Sequence, residues 1–186
     1  ALVGYAARRG ITIIPEIEMP GHSEEVLAVL PNLACSGKPY TQGEFCIGND
    51  STFTFMEDVL TEIMQVFPSP YIHIGGDEVD KRAWKVCPKC QARKSQENLK
   101  DEHELQSYFI KRIQKFFQFY WRVLIGWDEI MEGGADKNAI IEVWRGQGKG
   151  KEANANGNSI IQTLYLDAPP TSKKKKKSFA FDPSVA

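Results

Sequence analysis

The stretch Tyr71-Ile72-His73-Ile74-Gly75-Gly76-Asp77-Glu78 decides how the chain is read. It begins apolar and β-branched, the composition of a short buried strand. Two glycines follow, and they let the backbone leave the strand through conformations closed to other residues. Directly behind them stand two adjacent carboxyl groups, Asp77 and Glu78. A strand end, a glycine turn and paired acids suit general acid/base chemistry at the mouth of a parallel sheet. Adjacent acids also disfavour simultaneous ionisation, which favours one of them keeping its proton near neutral pH. Taken alone, Gly-Gly-Asp-Glu reads equally well as a solvated loop or a helix N-terminus. The rest of the chain has to weigh the two.

Outward from this stretch, helical and strand signals alternate. A helical segment ends at Arg9-Gly10, and Ile11-Thr12-Ile13-Ile14 reads as a strand stopped by Pro15. A short helix is predicted from Ser23, as N-cap, to Leu30, and residues 31–50 read as loop. Thr52 to Phe67 carries apolar residues at helical spacing, and the strand at 71–74 follows. Asp101 to Tyr120 predicts a long amphipathic helix with Leu105, Phe109, Ile113 and Phe116 on its apolar face. Three further strands are expected at Arg122–Ile125, Ala139–Val143 and Ser159–Gln162, with a helix near Lys149–Asn156 between the last two.

This alternation argues for α/β architecture with a parallel sheet. A doubly wound sheet would place a Gly-x-Gly-x-x-Gly turn after its first strand, and none follows residue 14. A (β/α)8 TIM barrel instead predicts site residues just past several strands. Such tips recur at Pro15-Glu16-Ile17-Glu18-Met19-Pro20-Gly21-His22, at Gly75 to Glu78, at Gly126-Trp127-Asp128-Glu129, at Trp144-Arg145-Gly146 and at Tyr165-Leu166-Asp167. Five strands do not close an eight-stranded barrel, so the expectation is an incomplete one, with residues 1–186 forming part of a catalytic domain.

The bulk properties exclude little. The chain has 186 residues, 42% of them hydrophobic, and a formal net charge of -1, an ordinary globular composition. That balance gives no push toward nucleic acid or a membrane surface, and no apolar run approaches the roughly 20 residues that span a bilayer. The run Lys173 to Lys177 reads as a solvated loop; nucleic-acid binding through it would rest on that segment alone. The opening Ala1-Leu2-Val3 has neither an initiator Met nor a signal pattern, so the sequence reads as cut from something longer. Cys87-Pro88-Lys89-Cys90 has metal-ligand spacing, but Cys35 and Cys46 supply no second pair at matching spacing. The favoured reading of the four is plain loop thiols, with zinc and disulfides as lesser alternatives, and no metal or cofactor is expected.

With His-x-Gly-Gly-Asp-Glu, Pro-Gly-His, Gly-Trp-Asp-Glu, Trp-Arg-Gly and Tyr-Leu-Asp in this order, the chain resembles glycoside hydrolase family twenty, the β-N-acetylhexosaminidases. The likeness covers about residues 1–167, with an echo in Phe181-Asp182-Pro183. It implies strands three to seven of the family's barrel. It also implies exo-acting, retaining hydrolysis of terminal N-acetyl-D-hexosamine, in which the substrate's own acetamido oxygen replaces an enzyme nucleophile. By position Glu78 would be the general acid and then the base, and Asp77 would hold the acetamido N–H. Tyr165 would donate to the acetamido oxygen, and Trp127 and Trp144 would wall its pocket. Asp167 would bind a sugar hydroxyl, and His22 would lie behind the acid. Glu18 stands where relatives often carry Asp. Asp128 and Glu129 read as supporting structure, and Glu142 as a paired interior charge or an outward one.

The implied partners are glycans ending in N-acetylglucosamine or N-acetylgalactosamine, or chitooligosaccharides. The resemblance is compatible with a homodimer, and family habit implies an extracellular, periplasmic or lysosomal setting. The family's substrate-binding Arg from its first strand and the Trp and Glu from its eighth have no counterpart here. The alternative is therefore a catalytically impaired, carbohydrate-binding remnant of the same fold.

Overall fold

A computed structural model describes residues 1–163. Along the chain run α1 (Leu2–Ala7), α2 (Glu24–Val29), α3 (Asp50–Val66), β1 (Tyr71–His73), α4 (Arg82–Val86), α5 (Pro88–Gln96), α6 (Glu102–Phe119), β2 (Val123–Trp127), β3 (Ile140–Val143), α7 (Gln147–Ala155) and β4 (Ser159–Gln162). Short 3-10 turns sit at Pro31–Leu33 and Asp128–Met131. None of the helices among the described residues is long and apolar enough to cross a membrane.

The four strands form one parallel sheet in the order β1-β2-β3-β4. Chain order and strand order coincide, whereas a doubly wound sheet reverses direction at a switch point. Register aligns His73 with Ile125, Ile125 with Ile140, and Trp127 with Glu142. That alignment brings the strand tips, and their side chains, to one end of the sheet.

A fifth segment extends the sheet beyond β1, a few residues later than the sequence suggests. The β-branched run 11–14 is not in the ladder, and Ile11 and Ile14 are exposed. The pairing runs instead through Pro15 to Met19. His73 N–H donates to Pro15 O, Ile17 N–H to His73 O and Met19 N–H to Ile74 O, each at 2.9 Å. Pro15, read as a stop, takes part because only its carbonyl is needed there; the missing N–H faces away from β1.

Capping divides in the same way. Asp101 caps α6 by accepting from the N–H groups of His103 and Glu104, both at 2.9 Å, and Asn49 caps α3 through Ser51 N–H. Ser23 precedes α2 but does not cap it, because its hydroxyl donates back to Gly21 O at 2.8 Å. The helices α4 and α5, absent from the sequence reading, are short, and α5 begins on Pro88.

The core lies between the sheet and α3 and α6. Leu105, Phe109, Ile113 and Phe117 of α6 are fully buried against Phe53, Leu60, Ile72, Ile74 and Leu124. Phe117 thus takes the place expected for Phe116, which is only partly buried and tilts against Tyr120 with ring centroids 5.0 Å apart. Phe53 and Phe109 tilt together at 5.4 Å. Removing the Phe109 ring leaves a cavity that α3 and α6 cannot close. Phe109→Ala is expected to lower unfolding free energy by about 3–5 kcal/mol, read as a drop in urea midpoint; a loss below about 1 kcal/mol would contradict this core assignment.

Candidate active site

The chain leaves β1 through two glycines whose conformations are forced. Gly75 has φ +67, and a Cβ there would stand 1.8 Å from Glu18 Oε2; Gly76 has φ +92, with Ile130 Cγ2 2.5 Å from its would-be Cβ. Gln106 from α6 donates to Gly76 O at 2.8 Å, and Trp127 N–H donates to Gly75 O at 2.9 Å. The turn is therefore clamped by α6 on one side and by β2 on the other. It delivers Asp77 half-buried and Glu78 largely exposed, the side chains 18% and 58% accessible.

His22 meets both acids. Its Nε2 lies 3.5 Å from Asp77 Oδ2 and 3.6 Å from Glu78 Oε2, charge-pair distances rather than tight hydrogen bonds. His22 and Glu78 both adopt left-handed backbone conformations, φ 48 and φ 50. Non-glycine residues rarely occupy that region, and strain of this kind gathers at functional sites. The structure thus brings His22, Asp77 and Glu78 together.

Behind Asp77 lies a cluster that the sequence marks only faintly. His73 is buried, with Nδ1 3.0 Å from Glu16 Oε1 and also 3.0 Å from the Gly75 nitrogen. Its Nε2 faces Glu142 Oε2 at 3.5 Å. Burial lowers the His73 pKa despite the opposing pull of Glu16 and Glu142, so the ring stays neutral at pH 7. Glu142 also accepts from the Thr163 hydroxyl at 2.5 Å, so its carboxyl faces inward onto hydrogen-bonding groups rather than outward. Glu18 is pushed up to about 8, first by burial and then by the charge of Asp77 and the hydrogen bond with Glu16. Glu18 thus keeps its proton near neutral pH, one strand away from the pair that the sequence singles out. Glu18 Oε2 and Asp77 Oδ1 are both buried, and neither has a hydrogen-bond partner among the described residues.

The two tryptophans are anchored differently. Trp127 donates from Nε1 to Glu16 Oε1 at 3.2 Å and meets the His73 ring edge-on, centroids 5.1 Å apart. Trp144 donates from Nε1 to Glu129 Oε2 at 3.1 Å, and its backbone N–H reaches Asp128 Oδ2 at 3.1 Å. Asp128 and Glu129 are buried and also hold Arg145, which reaches Glu132 at 2.7 Å; they are supporting structure, as the sequence suggests. Tyr165 and Asp167, like the lysine run, lie outside the described residues.

A cleft of about 560 Å³ opens beside Glu78 and His22. Thr41, Gln42, Gly43 and Glu44 form its far wall, with Asp80 and Arg82 on the near side. The buried Glu44 carboxyl is pushed up to about 7, by burial first and then by Asp80. Sequence reasoning left the strand-tip residue Glu16 without a role, gave none to His73 and missed Glu44 altogether. The first two could have been found as polar side chains at aligned positions of neighbouring strands, since Glu16 bridges His73 directly. Nothing local marks Glu44.

The cysteines depart furthest from expectation. Cys35, Cys46, Cys87 and Cys90 are not scattered loop thiols: their sulfurs all lie within 4.8 Å of one another, and three of the four are buried.

Residues 1–184 match the model for glycosyl hydrolase family 20, catalytic domain. A β-hexosaminidase of Porphyromonas gingivalis is 47% identical in an alignment of 179 residues that covers 89% of this chain and 23% of that protein. A β-hexosaminidase of Vibrio furnissii is 33% identical over 89% of this chain and 30% of its own length. The crystal structure of a β-N-acetylhexosaminidase from Bacteroides fragilis superposes with a TM-score of 0.84 at 38% identity, over 93% of this chain and 37% of that one. An exo β-N-acetylglucosaminidase from Vibrio harveyi, solved with N-acetylglucosamine, gives a TM-score of 0.79 at 31% identity, over 87% of this chain and 27% of that one. The chain thus spans well under half the length of these relatives.

The Glu18 proton makes a prediction about stability. With its pKa raised from 4.5 to about 8, folded Glu18 keeps a proton that the unfolded chain has already released. Unfolding between those values releases that proton, so the contribution to stability is complete below the lower value and is lost as pH rises through the upper one. Glu18→Gln removes this dependence. Melting temperatures followed from about pH 5 to about pH 8 should fall less in the variant than in the wild type; parallel curves would contradict the assignment.

Proposed function

The chain belongs to glycosyl hydrolase family 20, and we propose that it supplies the catalytic centre of an exo-acting, retaining β-N-acetylhexosaminidase. The observation that carries this reading is the Asp77–Glu78 pair on the Gly75-Gly76 turn: one buried acceptor without a partner among the described residues, beside one exposed carboxyl facing a cleft. The segment at 15–19 followed by β1 to β4, all parallel and in chain order, is read as strands three to seven of an eight-stranded barrel.

The chemistry follows from what each group can do. A terminal N-acetylhexosamine carries its own nucleophile, the carbonyl oxygen of the 2-acetamido group. When that oxygen attacks the anomeric carbon, the glycosidic C–O bond breaks, and the leaving oxygen needs a proton, which Glu78 donates. The five-membered ring that forms carries positive charge over its nitrogen and carbon. Asp77 Oδ1, buried and unpartnered among the described residues, is an acceptor for the N–H of that group. A charge-assisted hydrogen bond there strengthens as the ring forms. The resulting Glu78 carboxylate then takes a proton from a water whose oxygen attacks the anomeric carbon from the opposite face, breaking the bond to the acetamido oxygen and restoring the acetamide. Two inversions return the original configuration, without an enzyme nucleophile.

Neighbouring residues set the conditions for those steps. The neutral Glu18 limits the negative charge packed behind Asp77, and the reading assigns the ring of Trp127, held by Glu16, to the acetamido pocket. The same reading assigns Trp144, Tyr165 and Asp167 to the sugar pocket and His22 to positioning the acid. Its substrates are glycans or chitooligosaccharides ending in N-acetylglucosamine or N-acetylgalactosamine.

Leaving-group dependence separates an acid from a merely structural carboxylate. Glu78→Gln should lower kcat/KM by about 10²–10⁴ on an alkyl N-acetyl-β-glucosaminide, whose leaving oxygen needs protonation. On a nitrophenyl substrate, which leaves unaided, the loss should be much smaller. Equal losses on both substrates would remove Glu78 from the acid role.

A further inference from the structure

We propose that Cys35, Cys46, Cys87 and Cys90 bind one structural zinc ion, independently of the reaction assigned to Asp77 and Glu78. The sulfur geometry carries the proposal. Cys35 Sγ lies 3.6 Å from Cys90 Sγ, and Cys46 Sγ lies 3.7 Å from both Cys87 and Cys90 Sγ. All four fall within 4.8 Å of one another. A tetrahedral site with zinc–sulfur bonds of about 2.3 Å has sulfur–sulfur edges of about 3.8 Å. A disulfide would need about 2.05 Å, and pairing any two of the cysteines would break the fourfold arrangement. Four thiolates with no open position make a closed site, suited to structure rather than to catalysis, and soft sulfur ligands select zinc over magnesium or calcium.

The backbone around the sulfurs is shaped for the same purpose. Cys87-Pro88-Lys89-Cys90 passes from the end of α4 into the first turn of α5. Cys46-Ile47-Gly48 packs directly onto that turn: a Cβ on Gly48 would stand 2.1 Å from the Lys89 carbonyl carbon and 2.4 Å from Cys90 N. Cys35 closes the set from beyond the turn at Pro31–Leu33, whose Leu33 O accepts from Cys46 N–H at 2.8 Å.

The ion would therefore fasten the long segment after α2 to the α4–α5 pair. That segment carries Thr41 to Glu44, the far wall of the cleft. Trp84 of α4, fully buried, makes a second link by donating from Nε1 to Phe45 O at 2.9 Å. Zinc binding would thus set the shape of the cleft wall without touching the reacting groups.

The test is metal content and thiol reactivity of the protein purified without chelator or metal-affinity resin. About one zinc per chain is expected, with thiols that stay unreactive until a chelator or denaturant is added. Cobalt replacing the zinc should give the intense near-ultraviolet absorption of thiolate-to-metal charge transfer. Cys90→Ser should lose the metal, whereas Lys89→Ala should keep it; if Cys90→Ser does not fold, the wild-type cobalt spectrum still decides. Four freely titrating thiols with negligible metal would overturn the proposal, as would a non-reducing mass showing two disulfides.

Discussion

The carboxyl of Glu18 occupies the space where a side chain on residue 75 would stand. That exclusion fixes the backbone of the turn after β1, and the turn fixes everything chemical that follows. Only glycine can hold φ +67 there with Glu18 Oε2 so near. The contact also requires the 15–19 segment to lie in register beside β1, which the Pro15, Ile17 and Met19 hydrogen bonds ensure. In return, Glu18 is pushed into a partly buried position next to Asp77 and keeps its proton. Backbone geometry, strand register and protonation are thus one constraint seen from three sides.

Around that turn the structure divides labour between rigid and adjustable parts. Asp77 sits against the sheet, backed by His73 and Glu18, where burial makes each hydrogen bond count. Glu78 stands one residue further out, exposed to the cleft. The far wall of the cleft comes from a different source: a long irregular segment held by Trp84, by Phe45 N–H on Pro20 O at 2.8 Å, and by Ser23 N–H on Gly43 O at 2.9 Å. Backbone bonds and the four sulfurs do for this segment what strand pairing does for the site floor.

Much of this was legible in the sequence, and the failures have physical causes. The Asp77–Glu78 pair, the α/β order and the long α6 could be read because composition and spacing encode them locally. The edge segment was placed at 11–14 because β-branched residues gather there, while the true ladder runs through Pro15, whose carbonyl alone is needed. Ser23 looked like a cap, but its hydroxyl found a nearer acceptor in Gly21 O. The α4 and α5 helices are too short and too polar to announce themselves by periodicity. Cys35 and Cys46 stand far from Cys87 and Cys90 in sequence, so no spacing rule joins them; only the fold does. The protonation of Glu18 depends first on burial and then on Asp77 across a strand boundary, which a linear reading cannot weigh.

The central claim is that the substrate's acetamido group, received by Asp77, is the nucleophile. Measuring kcat/KM on aryl N-acyl-β-glucosaminides whose acetyl methyl carries successively more fluorine tests it most directly. Fluorine withdraws electron density from the carbonyl oxygen and leaves the rest of the sugar unchanged. The account predicts a steep, progressive fall in rate along the series. A flat series would mean that a group of the enzyme attacks instead, and would contradict it.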